Sequence, residues 1–218
     1  MNLKTRVMLA NDRRLFLDGL EAIIELAHDM YVVGQTRDGL DVVPKVLELA
    51  PDLLLLDLMM PGLNGLEIAR QLHERQLPTK VMVLTEHATD GYVSEALRHG
   101  VAGYVLEQTD AATLLDAMRR VCAGERYLSP PLSLERVAEW QAQNRGNTLD
   151  LFDTLTTRER EVLQLAVEGL TSAAIGARLN IGKRTVETHR ANFQRKLCVK
   201  SHTELVMLAV KRGLVRVD

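Results

Sequence analysis

The chain has 218 residues, 46% of them apolar and 26% charged. That balance excludes a disordered or fibrous chain, and the length suits one large domain or two small ones. The formal net charge of -2 hides an asymmetry, because residues 1–153 carry a balance of -8 and residues 154–218 one of +6, as expected of two units with different partners.

No apolar run approaches the ~20 residues needed to span a bilayer, and the one after Lys4 and Arg6 is too short for a signal peptide. Cys122 and Cys198 lie far apart without a C-x-x-C pattern. Neither a disulfide framework nor a cysteine zinc site is expected, and a cytoplasmic location with no membrane partner is.

Short Val-, Leu- and Met-rich runs at 6–10, 31–35, 53–56, 80–84 and 101–106 read as buried parallel strands. Helical patterns lie between and after them. Leu15, Leu20, Ile23 and Ile24 mark the first, and Val42, Val46 and Leu49 the second. Leu66, Ile68, Ala69 and Leu72 mark the third, Val93, Ala96 and Leu97 the fourth, and Leu114, Leu115, Met118 and Val121 the fifth. Five strand–helix repeats predict an α/β unit over 1–124 with a doubly wound five-stranded parallel sheet. Residues 125–152 read as a linker: Pro130-Pro131 stops any helix, 134–143 forms a short one around Trp140, and Asn144–Thr148 is turn-rich.

The segment 153–218 is helical throughout and predicts an all-α, four-helix helix-turn-helix domain. Thr156 and Glu159 fit a capping box, as do Ser201 and Glu204. Gly169 ends the first helix, a second runs to Leu179, and Asn180-Ile181-Gly182 is a tight turn. A third helix spans 183–197 with Val186, Phe193 and Leu197 inward, and a fourth ends near Arg212.

Two constellations carry chemistry. Asp12, Asp57 and Thr85 fall at or just after strand ends, which converge on one crevice in a doubly wound sheet. Two carboxylates there suit Mg²⁺, a hard cation that takes phosphate partners. On the third helix, Lys183, Arg184, Arg190 and Arg195 can meet phosphates of double-stranded DNA, while Glu187 and Thr188 can face base edges.

The first half resembles a response-regulator receiver domain over 4–123, on Asp12, on Asp57 before Met60-Pro61-Gly62-x-Asn64-Gly65, on Thr85, and on Gly103-Tyr104. The resemblance implies a flavodoxin-like fold, Asp57 as phosphoacceptor, Thr85 and Tyr104 as a switch pair, Mg²⁺ on Asp12 and Asp57, and a sensor histidine kinase or other phosphoryl donor. Two positions depart from the pattern: Asn11 replaces an acidic residue, and Glu107 replaces a lysine that answers the phosphoryl charge. A charge pair at ~5 Å is worth roughly 3 kcal/mol at an effective dielectric of 20, and a sign reversal up to about twice that. Weak or short-lived phosphorylation is the expectation, with DNA binding that changes little in Asp57→Ala, and Glu107→Lys should restore phosphate-dependent dimerisation. Arg13 and Arg14 lie beside the pocket in sequence and offer compensation.

The second half resembles a LuxR-type helix-turn-helix over 153–215, on Leu155-Thr156-x-Arg158-Glu159-Arg160-Glu161-Val162-Leu163, Thr185-Val186-Glu187-x-His189-Arg190 and Arg195-Lys196-Leu197. That implies 183–197 as the recognition helix, with Glu187, Thr188 and Ala191 at base-facing positions, and a homodimer on DNA through Leu205, Leu208 and Ala209. The whole reads as a NarL/FixJ/LuxR-type regulator of a two-component system, not an enzyme. A phosphatase with Asp57 as nucleophile needs a general acid where Met59 stands. A regulator sensing an acylated lactone needs an aromatic-lined pocket, and aromatics are only 4%. Control by protein contact or a small ligand, without phosphate, is the closer alternative, because of Glu107.

Overall fold

The computed structural model describes residues 4–143, 151–211 and 214. The turn-rich stretch expected at Asn144–Thr148 and the expected helix end at Arg212 lie outside them. Two compact units divide the chain, with the break in the main chain after Arg145.

The first unit alternates strand and helix: β1 (Thr5–Ala10), α1 (Arg14–Glu25), β2 (Met30–Thr36), α2 (Gly39–Leu49), β3 (Leu53–Leu56), α3 (Gly65–Glu74), β4 (Lys80–Thr85), α4 (Asp90–Arg98), β5 (Gly103–Leu106) and α5 (Ala111–Cys122). β6 (Tyr127–Leu128) and α6 (Leu134–Gln143) follow. The sheet order is β2-β1-β3-β4-β5-β6, and every pair is parallel. Side chains alternate across the strands. Val7, Leu9, Leu53, Leu55, Met82, Leu84 and Val105 cluster with Leu17, Leu20 and Ile24 of α1 and Leu114, Met118 and Val121 of α5. Their neighbours Met8, Leu54, Leu56, Val83 and Tyr104 are equally buried. Leu-Leu-Leu-Leu in β3 has no polar position because both faces are covered.

Two expectations need correction. The sheet has six strands, not five: β6 lies in the expected linker and pairs with β5 through Gly103↔Tyr127 and Tyr104↔Leu128. Two residues are too few to carry a period. The short helix expected at 134–143 forms as α6 and groups with the α/β unit. Arg136 pairs with Asp90 at 3.1 Å and Gln141 Nε2 donates to Ser94 Oγ at 2.8 Å, both partners on α4. Finally, Leu15 is 86% exposed, and Leu17 takes the core position on α1.

The second unit has a 3-10 turn (Leu151–Thr154), α7 (Thr157–Val167), α8 (Ser172–Leu179), α9 (Lys183–Leu197) and α10 (His202–Lys211). Its core joins Val162, Leu163 and Ala166 of α7, Ile175 of α8, Val186, Phe193 and Leu197 of α9, and Leu205 and Ala209 of α10. The Thr156–Glu159 capping box forms in both directions, at 3.2 and 2.8 Å. The second box forms only half as expected. Ser201 Oγ accepts from the Glu204 N–H, but the Glu204 carboxylate reaches back to the N–H of Lys200. Asn180 closes α8 in the left-handed region, φ 54°, and turns the chain into α9.

Candidate functional site

Four strand ends build the acidic pocket. Asn11 follows β1, Asp57 follows β3, Thr85 ends β4 and Glu107 follows β5. Backbone bonds fix three of them: the Asp57 N–H donates to Ala10 O at 2.9 Å, Asn11 N–H to Thr36 O at 3.2 Å, and Glu107 N–H to Thr85 O at 3.0 Å. β1 and β3 are the neighbours at which strand order reverses, where such sheets open a ligand crevice.

Asp57 is 1% exposed. One carboxylate oxygen accepts the Met59 N–H at 3.1 Å and the other the Asn11 side-chain amide at 3.2 Å. The turn after it runs close, because Gly65 donates to Leu58 O at 2.7 Å and a Cβ at 65 would come within 2.4 Å of Asp57 O. Asn11 bridges Asp57 and the start of α1. Its amide faces Asp57, and its Oδ1 accepts the Arg13 N–H at 2.9 Å. Asp12 does not cap α1, whose N-cap is Arg13. Asp12 Oδ1 is buried without a hydrogen-bond partner.

Glu107 is not a bare negative charge. Its carboxylate forms an ion pair with Arg13. Glu107 holds the Arg13 guanidinium firmly charged, with Asp57 and Asp12 adding to the field. The guanidinium also lies 4.6 Å over the Phe16 ring. The penalty calculated for an unanswered glutamate therefore does not apply in full. Arg14, the other candidate, is exposed in the first turn of α1.

Thr85 and Tyr104 sit on adjacent strands and are fully buried. The Tyr104 hydroxyl donates to His87 O at 2.6 Å, and Thr85 Oγ accepts the His87 N–H at 3.4 Å. The loop after β4 thus ties both residues together. Burial pushes the Tyr104 phenol far above its ordinary value, with Tyr92 and Asp57 adding to the rise.

Mg²⁺ is the ion this donor set fits. It requires one or two carboxylates and completes its shell with water and phosphoryl oxygens. Asp12 offers an orphaned oxygen, and Asp57 a second carboxylate. Among the described residues no group of three His, Cys, Asp or Glu forms a protein-only cage.

On α9, Lys183, Arg184, Glu187, Thr188, Ala191 and Arg195 are exposed and Arg190 is half-buried. Thr188 Oγ donates to Arg184 O at 3.0 Å, and Lys183 lies 3.7 Å from the Glu187 carboxylate. Lys196 has a different task, which the sequence did not signal. Its ammonium binds Glu159 at 2.6 Å and Thr154 O at 2.9 Å, pinning α9 to the capping box of α7. Leu205 and Ala209 are 1% and 0% exposed, so they belong to the core and not to a dimer face. Leu208 is half-buried and Met207, which sequence reasoning passed over, is 58% exposed. α10 reads Leu-Val-Met-Leu-Ala-Val, too apolar all round for its pattern to say which face turns inward.

Among the described residues no helix is long and apolar enough to cross a membrane. The family model for the response regulator receiver domain matches residues 7–119, and that for the luxR family of bacterial regulatory proteins matches residues 153–209. The transcriptional regulatory protein DegU of Brevibacillus brevis is 31% identical, over 98% of this chain and 96% of its own length. The oxygen regulatory protein NreC of Staphylococcus aureus is 35% identical, over 96% and 99%. The signal receiver domain of the response regulator NarL from Mycobacterium tuberculosis superposes with a TM-score of 0.55 at 30% identity, covering 56% of this chain and 99% of that one. The chain belongs to the DNA-binding response regulators that join a receiver domain to a LuxR-type helix-turn-helix.

Proposed function

We propose that Asp57 is the phosphoacceptor, that a sensor histidine kinase or a small acyl phosphate supplies the phosphoryl group in the cytoplasm, and that the modification controls pairing of α9 on DNA. Residues 1–124 receive the signal in this reading and 153–218 deliver it. The observation that carries it is Asp57 itself: a buried carboxylate at the reversal point of the sheet, oriented through both oxygens and adjoining a buried Thr–Tyr pair. An Asp57 oxygen attacks phosphorus, and the donor's bond to phosphorus breaks. Asp12 and Asp57 would hold Mg²⁺, which supplies charge neutralisation for phosphoryl oxygens. Thr85 then offers a hydroxyl to a phosphoryl oxygen and lets go of the His87 N–H, and Tyr104 follows the His87 loop to which it is bonded.

Output rests on α9. Lys183, Arg184, Arg190 and Arg195 meet phosphates, and Thr188 and Ala191 face bases. Glu187 reads a base only by giving up its contact with Lys183. The homodimer forms through Leu208 and its exposed neighbour Met207 on α10. The chain is no phosphatase, since position 59 offers a thioether and not an acid. Control without phosphate remains the second reading, favoured by Glu107 where the family pattern has a lysine. Incubation with acetyl phosphate and Mg²⁺, followed by intact mass, separates the two. One phosphoryl group that disappears in Asp57→Ala supports the first reading, and none on the wild type supports the second.

A further inference from the structure

The pocket keeps its charge while changing its wiring. The family pattern places two acidic residues, the acceptor aspartate and a lysine together. This chain has Asp12, Asp57 and Glu107 with Arg13, which is the same net charge. The cation has moved from the end of β5 to the start of α1, and a carboxylate has taken its former place.

Arg13 is held there from three sides. Its side chain pairs with Glu107, its guanidinium lies over Phe16 at 4.6 Å, and its N–H donates to Asn11 Oδ1 at 2.9 Å. The Glu107 side chain is 14% exposed and that of Arg13 43%, so the anchor is enclosed while the guanidinium borders the pocket mouth. Asn11 in turn bonds Asp57 at 3.2 Å, so one short chain of contacts joins Arg13 to the acceptor. Asp57 and Asp12 both act on the guanidinium charge. A guanidinium carries five N–H donors in a planar fork that matches phosphate oxygens. It can therefore keep Glu107 and still meet a phosphoryl group through its remaining N–H donors.

We propose that Arg13 is the cation that meets the phosphoryl group on Asp57, and that Glu107 is its positioning residue. This rests on Asp57 being the acceptor. The phosphoryl group brings about two negative charges to a pocket that already holds three carboxylates. Arg13 answers that charge during transfer and in the phosphorylated state. With acetyl phosphate, an Asp57 oxygen forms the new O–P bond, the O–P bond to the acyl oxygen breaks, and acetate leaves with the electron pair.

The test uses the full chain with acetyl phosphate and Mg²⁺, and reads the phosphoryl fraction by intact mass over time. Arg13→Ala should label about tenfold more slowly than wild type or worse. The double variant Arg13→Ala/Glu107→Lys, which returns a cation from the other side, should recover to within about threefold of wild type. Rescue by a charge placed at another position is not expected of a residue that merely holds the fold. Thermal melting checks that each variant is folded, and Arg13→Lys, which keeps the charge and loses the fork, should fall between wild type and Arg13→Ala. Labelling of Arg13→Ala at the wild-type rate, or a folded double variant as slow as the single one, would overturn the proposal. If the wild type takes no label but Glu107→Lys does, Arg13 fails as the cation while Asp57 stands as acceptor. If neither labels, Asp57 is not the acceptor and the role of Arg13 falls with it.

Discussion

The receiver pocket and the recognition helix handle charge in opposite ways. In the pocket, charged groups are tied to fixed partners: Arg13 to Glu107, and the Asp57 carboxylate to the Asn11 amide. On α9, Arg184 stands exposed, and the closest ion pair on its outer face is the loose Lys183–Glu187 contact at 3.7 Å. A site that waits for a charge on its own side chain gains from a cation and donors fixed in place beforehand. A surface that meets a polyanion gains from charges left open to solvent, because they displace counterions on binding. Identity alone therefore does not assign a role to a basic residue. Arg13 is tied to Glu107, Arg184 is open to solvent and Lys196 pins two helices together, although Arg184 and Lys196 share one helix.

The largest effect expected is on the pocket. Asp57→Ala should remove all phosphoryl labelling by acetyl phosphate, measured by intact mass. Residual label at another residue would blur the contrast between a tied pocket and an open surface. Next comes the scaffold. Lys196→Met leaves the Glu159 carboxylate, only 4% exposed, without its ammonium, and should cost about 2 kcal/mol in denaturant unfolding of the second unit. Arg195→Ala, one residue away and exposed, should change stability by no more than about 0.5 kcal/mol. Equal losses for the two would erase the distinction drawn between them.

On the DNA side, Arg184→Ala and Arg190→Ala should each weaken duplex binding across sequences and lower the salt slope by about one. Thr188→Ala should instead alter sequence preference, read by competition between duplexes. The smallest effect concerns acid. Burial raises the Glu159 carboxyl, but Lys196 and the Thr156 N–H outweigh it and hold the group below its ordinary 4.5. Its stabilisation is present above that ordinary value and drains away as pH falls through the lowered one. Melting of the second unit should drop in that acid window, and Glu159→Gln should flatten the drop.

Much of this was legible in the sequence, for identifiable reasons. β3 and α9 have the limits that their patterns predict, since four leucines between polar turns, and an inward stripe bounded by Gly182 and Cys198, leave little choice. Asp12, Asp57 and Thr85 stood out because strand ends converge, whereas Tyr104 stood out only through the family resemblance. The Arg13–Glu107 pair was not legible. Adjacency to Asp12 made Arg13 a candidate, but its partner comes from β5 and no local spacing joins them. Lys196 reads like any basic residue on a DNA helix until its bond to Glu159 is seen. Leu205 and Ala209 were misassigned because an almost wholly apolar helix carries no period. β6 was too short to carry a signal.

The central claim is that phosphorylation of Asp57 strengthens DNA binding. Its direct test is the affinity of the full chain for a target duplex at fixed salt, with and without acetyl phosphate and Mg²⁺, beside Asp57→Ala. A gain of about tenfold in the wild type, absent in the variant, is the predicted result and corresponds to an ordinary coupling between sites. Wild-type protein that carries the phosphoryl group on Asp57 yet binds DNA no more tightly would contradict it.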